Sequence, residues 1–255
     1  MNNITHYPFL VLALSSSVLW LSAWIGAWFR RRRRNPDEIL HEDFGLILAA
    51  TLTLLGLIIG FSFSMAASRY DQRKNYEEQE ANAIGTEYVR ADLLASADGA
   101  QVRTLLASYL DQRILFYTTY DEQELRQIDA RTAQLQVELW SVIKTAATAQ
   151  PTPIVALAVS GMNDVLNSQG YTQAAWWNRI PIAAWGLMVA IAVCCNLLFG
   201  YGSRNAKGGA KLLLILPMII SIALMLIADM DSPRHGFIRV SPQNLISLAE
   251  SLRPN

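Results

Sequence analysis

Charge is missing from long stretches of this 255-residue chain. Only 16% of its residues are charged, against about 25% in soluble domains. Residues 8–29, 44–68, 180–203 and 212–228 contain no Asp, Glu, Lys or Arg, so the remaining 167 residues carry all 21 basic and 21 acidic side chains, about one in four. Cysteine is almost absent too. Cys194 and Cys195 are neighbours inside one of the apolar runs, which excludes a disulfide scaffold and reads as two small packing residues. The three histidines, His6, His41 and His235, lie far apart, with no His-x-x-x-His or Cys-x-x-Cys spacing, so no built-in zinc site is expected. The chain has no Walker loop, nucleophile elbow or dinucleotide fingerprint, which leaves no cofactor and no enzyme to expect. A net charge of zero gives no reason to expect nucleic acid.

The four uncharged windows are the first positive signal. A helix needs roughly 20 apolar residues to cross the hydrocarbon core, within a range of about 17–25, and in lipid it satisfies its own backbone. The predicted organisation is a transmembrane helix over 8–29, a basic loop over 30–43, a second span over 44–68 and a helical extramembrane domain over 69–179. A third span over 180–203, a short basic loop over 204–211, a fourth span over 212–228 and a tail over 229–255 complete it. The fold class expected is an all-α membrane protein with the lipid bilayer as its first partner. The first window reads as a retained anchor, since no basic residue precedes it and the arginine run follows it. Trp20, Trp24, Trp28, Trp176, Trp177 and Tyr201 lie near window ends, where interfacial aromatics sit.

Sidedness follows from the basic residues. Arg30–Arg34 is a run of five arginines after the first span, and Arg204, Lys207 and Lys211 lie between the third and fourth. Positive-inside logic puts both loops in the cytoplasm and the 69–179 domain outside it. That domain has ten basic and fourteen acidic residues, and long domains count little in this rule.

Within 69–179 the pattern is helical. The second span can run on through Arg69–Leu94 without meeting a proline. Asp98 offers an N-cap for a helix over Gln101–Tyr117, with Val102, Leu105, Leu106, Tyr109 and Leu110 on one face. Leu125, Ile128, Thr132, Leu135, Leu139, Val142 and Ala146 recur in steps of three and four, as in a short coiled-coil stripe or a core-facing helix. After the Pro151 and Pro153 break, another amphipathic helix is expected over Ile154–Asn167.

Two places could carry function. Thr53, Leu57 and Phe61 fall at i, i+4 and i+8 on one helix face. Around an axis this face would make a narrow, mostly apolar neck, with Arg69 two turns beyond as a pore-mouth or headgroup-anchoring cation. Lipid or interhelix packing is the plainer account. After the fourth span, Asp229 and Asp231 could offer oxygen ligands to a hard cation, or could end the helix in a turn and pair with Arg234. The spans contain no carboxylate or histidine at membrane depth, so transport, if any, is passive rather than proton-coupled.

Gly60-Phe61 followed by Ser68-Arg69-Tyr70 resembles the second-helix signature of the bestrophins. The stretch with Asp231, Pro233 and Gly236 loosely resembles the acidic Pro/Gly segment after the last bestrophin span. Gly60 to Leu94, with Arg69-Tyr-Asp-Gln-Arg-Lys74 and Glu80-Ala-Asn-Ala-Ile-Gly85, looks like the bacterial bestrophin-like family of uncharacterised membrane proteins, over residues 44–248. The resemblance implies a homopentameric ring-shaped anion channel in the bacterial inner membrane, selective for small anions, with Phe61, Leu57 and Thr53 along the neck. Thr53 departs from the bulky apolar residue expected there. The calcium-binding acidic cluster is reduced to Asp229 and Asp231, with Arg234 among them, so calcium activation does not carry over. Bestrophins keep the helical block in the cytosol, which conflicts with the charge count. The rival reading is a non-conducting scaffold or sensor whose helical domain binds a partner through the 125–146 stripe.

Overall fold

A computed structural model describes residues 7–32, 41–203 and 212–253. The loop arginines Arg33, Arg34 and Arg204, with Lys207 and Lys211, lie outside the described residues, as does His6. The elements in order are α1 (Pro8–Arg32), α2 (His41–Arg90), a 3-10 turn (Ala91–Leu93), α3 (Ser96–Thr118), α4 (Glu122–Ala149), α5 (Pro153–Trp177), α6 (Ile182–Gly202), α7 (Leu212–Asp231) and α8 (Gln243–Ser251). Among the described residues there is no strand. Among the described residues four helices are long and apolar enough to cross a membrane, and they contain the four uncharged windows except for Ile180, Pro181 and Ser203 at the edges of the third. The absence of proline between Pro36 and Pro151 lets α2 run for 50 residues, about 75 Å at 1.5 Å per residue. The chain divides into two compact units, one of residues up to Tyr70 with Arg179–Arg239, the other of Asp71–Asn178 with Val240 onward.

The first unit is the membrane bundle. Its core gathers Leu19 from α1, Leu55 and Ala66 from α2, Met188, Ala192 and Cys195 from α6, and Leu224 and Ile227 from α7. The two cysteines diverge on the helix: Cys195 is buried in this core, whereas Cys194 is exposed and does not pack within the chain, and both thiols are free. Two glycines set the α1–α6 approach. A Cβ on Gly26 would overlap the Leu197 carbonyl, and one on Gly200 would overlap that of Ala23. Lipid-embedded helices gain attraction by such backbone proximity, because apolar side chains have no water to escape.

Arg30 Nη1 donates to the carbonyls of Tyr201 and Gly202, both at 3.0 Å. It thereby satisfies acceptors left open at the C-terminus of α6 and holds the ends of α1 and α6 at one membrane face. At the other face Tyr7 packs on His235 and Phe9 on Phe237, with ring centroids 5.3 and 5.1 Å apart.

The second unit is the helical domain. Here α3 begins five residues before the expected Gln101, at Ser96. Ala95 is its N-cap without a side-chain bond, and Asp98 sits inside the first turn, where its charge complements the helix dipole instead of capping it. The helix after the proline break runs to Trp177, ten residues past Asn167, with Thr152 accepting from Val155 N at its start. Along α4 the buried positions are Ile128, Thr132, Leu135, Leu139, Ile143 and Ala146, while Leu125 and Val142 are half-buried. The stripe follows the 3.6-residue period of a straight helix, not the 3.5 of a coiled coil, and it is used up in the chain's own core.

The inner face of α2 in this unit is charged. Arg73, Glu77, Glu80 and Glu87 are all buried, at spacings that put them on one helix face with Ile84 and Ala91. Glu77 accepts from Asn244 N and Leu245 N at 2.9 and 3.0 Å and from Asn244 Nδ2 at 2.6 Å, capping α8 from outside. Glu80 pairs with Arg113 and also takes Thr172 Oγ1 at 3.2 Å. Glu87 has no hydrogen-bond partner. A Cβ on Gly161 of α5 would collide with its carboxylate.

Candidate functional site

In the membrane unit α2 divides into two sides. Leu55, Ser62 and Ala66 turn inward and are buried. Thr53, Leu57 and Phe61 all point away from the chain, with Leu57 53% and Phe61 64% exposed. Only 6% of the most apolar stretch of α2 is buried, against 44% for α7. Thr53 Oγ1 donates to the Ala49 carbonyl at 2.9 Å, so the hydroxyl proton is spent on the helix itself and Thr53 presents a nearly apolar surface.

Beside this face lie Gly56 and Gly60, and around the Cβ position of each there is open space. Glycine inside a helix costs about 1 kcal/mol relative to alanine. No neighbour within the chain requires it at either position, and a Gly-x-x-x-Gly pair is the pattern that lets a second helix come close. The sequence contained this signal, but it becomes readable only once the intrachain neighbours are known.

Arg69 ends the apolar stretch and does not stand alone. Its Nη1 lies 3.4 Å from Asp231 Oδ1, with side chains 14% and 3% exposed. Asp231 Oδ1 also accepts from Ile180 N at 3.0 Å, which ties the start of α6 to the end of α7. The other aspartate has a different task. Asp229 Oδ1 accepts from Phe237 N at 2.7 Å and Oδ2 from Ile238 N at 2.9 Å. This folds the tail back over the helix end, and a Cβ on Gly236 would crowd Asp229 at 2.7 Å. The two carboxylates are therefore neighbours in sequence with separate partners. Among the described residues no group of three His, Cys, Asp or Glu side chains is placed to hold a metal.

Sequence reasoning missed Arg179, at the boundary before α6. It is half-buried, and its Nη1 has no hydrogen-bond partner. Its only sequence signal was a lone cation beside an uncharged window.

A family model described as Bestrophin-like domain matches residues 11–245. No curated protein matches the chain. Among solved structures, a point mutant of a bacterial bestrophin homolog from Klebsiella pneumoniae is similar in fold, at 13% identity and a TM-score of 0.67, over 96% of this chain and 97% of that one. Another structure of the Klebsiella pneumoniae homolog is 14% identical with a TM-score of 0.63, over 96% and 99% of the two chains. At such identities the likeness is one of fold. The family model covers nearly the whole chain, and the protein belongs to the Bestrophin-like family.

Proposed function

We propose that this protein is a homo-oligomeric channel for small anions, a pentamer by analogy with the family, in which Thr53, Leu57 and Phe61 of each copy line a mostly apolar neck. The observation that carries the reading is the bare side of α2, where apolar side chains and two unemployed glycines face away from the chain on a helix left almost uncovered. In a ring, Gly56 and Gly60 meet the adjoining copy while Leu57 and Phe61 reach the axis. A narrow apolar constriction gates by wetting and dewetting, and spans free of ionisable groups suit passive flux. Arg69, already paired with Asp231, stands at the wider mouth. Asp229 and Asp231 act as fastenings of the turn rather than as a cation site.

We assign the protein to a bacterial inner membrane, with the arginine-rich loop cytoplasmic and the helical domain on the opposite side, because eight basic residues fall in the two short loops. The Arg30 contact with the end of α6 supports grouping these loops on one face. The test is chloride flux from liposomes containing the purified protein. Flux above that of empty vesicles, altered by Phe61→Ala, is expected. No flux, or flux indifferent to Phe61→Ala, overturns the neck and returns the protein to the scaffold reading, whose partner stripe on α4 is already occupied by the domain's own core.

A further inference from the structure

Between α1, α6 and α7 the membrane unit contains a cavity of about 380 Å³, lined by Val11 and Val18 of α1, Ile182, Gly186 and Val189 of α6, and Leu224 of α7 among others. Its one hydroxyl, on Ser15, donates to the Leu12 carbonyl at 3.3 Å, which leaves the indole Nε1 of Trp185, also in the wall, as its single unpartnered donor. One donor falls short of the two to four polar partners a buried water needs, so the space favours an apolar occupant. At roughly 30 Å³ per water-sized group, it takes about a dozen chain carbons. The lining comes from the first half of α1, the first half of α6 and the last half of α7, which places it in the leaflet nearer the α7 end.

At that end lies Arg179, three residues before Ile182 opens the cavity wall. Asp231 is the carboxylate that acts on this guanidinium, but its Oδ1 already takes Ile180 N and Arg69. The membrane unit around this turn carries Arg69, Arg179, Arg234 and Arg239 against Asp229 and Asp231, an excess of two positive charges. An arginine whose Nη1 lacks a hydrogen-bond partner, three residues ahead of an apolar slot, matches the two halves of an anionic phospholipid, because a phosphate fits its planar fork and an acyl chain fits the slot.

We propose that this groove is a binding site for an anionic phospholipid, with one acyl chain in the α1–α6–α7 cavity and the phosphate on Arg179. The full-length protein is titrated in detergent with phosphatidylglycerol and with phosphatidylcholine of the same chains, and bound lipid is counted by native mass spectrometry. Phosphatidylglycerol should be retained about ten-fold more strongly, the scale of one charge-assisted hydrogen bond. Arg179→Ala should erase that preference while both lipids still bind. Gly186→Leu grows into the open side of its position and should expel both lipids, and Val189→Trp, on the same wall, should do the same. Glycerol phosphate at millimolar concentration should not displace the lipid. Equal retention of the two lipids, a preference that survives Arg179→Ala, or displacement by glycerol phosphate alone overturns the proposal. So does a disulfide between copies formed by Val189→Cys, because another copy of the chain would then occupy the groove.

Discussion

Glu80 and Arg113 meet as an ion pair wholly enclosed by the helical domain, each side chain at 0% exposure, and the Arg113 guanidinium lies 4.4 Å over the Phe116 ring. An enclosed pair is costly to break from one side, because the surviving charge is left without water or partner. Glu80→Ala should therefore destabilise the domain by about 3–5 kcal/mol. Adding Arg113→Met to it should recover a large part of that loss. Chemical unfolding of the detergent-solubilised protein, followed by far-UV circular dichroism, measures both. A double variant less stable than Glu80→Ala alone contradicts the account.

Glu87 should make the domain less stable as pH rises. Burial pushes its carboxyl up to about 8, with Arg90 opposing the shift and Asp164 on α5 adding to it. The folded state then holds a proton that the unfolded chain releases near the ordinary value of 4.5. Stability is fullest below that lower value and declines until the folded carboxyl has ionised near 8. Glu87→Gln should flatten the midpoint of thermal unfolding between pH 5 and 9, at roughly the wild-type value for acidic pH. A wild-type midpoint that rises over this window contradicts the assignment.

The α1–α6 crossing should tolerate no side chain at Gly200. Gly200→Val sets a branched side chain against the Ala23 carbonyl and should reduce the yield of folded protein on size-exclusion chromatography to a small remnant. Gly170→Ala, on α5 where a Cβ meets open space, serves as the contrast. It should stabilise the protein slightly, by up to about 1 kcal/mol. Equal yields of wild type and Gly200→Val refute the close approach.

Chelating calcium should leave thermal stability unchanged, since both Asp229 oxygens already accept backbone N–H groups. Asp229→Ala should lower stability by roughly 2–4 kcal/mol, from two hydrogen bonds to a charged acceptor. Differential scanning fluorimetry with and without EGTA distinguishes the two cases. A large shift on chelation would restore a cation to the turn.

Sidedness is read by Ser108→Cys, placed within α3. If the domain lies outside the cytoplasm, a membrane-impermeant maleimide should label it in intact cells. Labelling only after lysis reverses the orientation.

Much of the fold was legible because lipid imposes a simple rule. Windows of 17–25 residues without charge could be little else, and all four fall on helices suited to spanning, with only Ile180, Pro181 and Ser203 of the third outside its helix. The length of α2 was equally readable from the missing prolines. Cap positions were less so. Asp121 accepts from Gln123 N and Glu124 N at 2.9 and 2.8 Å, yet it resembles any acidic loop residue until the helix start is fixed. Asp98 had the right type and the wrong position, since Ser96 and Ala97 already continue the helix. The buried Arg73, Glu77, Glu80 and Glu87 were hidden for another reason. A charged helix face ordinarily marks solvent, and only partners distant in sequence, such as Arg113 and Asn244, reverse that inference. For the candidate neck, spacing alone put Thr53, Leu57 and Phe61 in line. That their side is bare could be known only by seeing what the rest of the chain leaves uncovered.

The helical domain closes with residues from both flanks of the membrane hairpin, for Glu77 binds the backbone of Asn244 and Leu245. A chain that leaves one compact body at Asn178 and rejoins it at Val240 must traverse the bilayer an even number of times in between. Neither α6 nor α7 can then be a surface helix while the other spans. If α6 crosses, as its apolar length allows, the shortest apolar window, Leu212–Ala228, must cross with it, and parity adds to what hydropathy alone would say. The domain, for its part, lacks its closing helix until the residues beyond that hairpin have been synthesised.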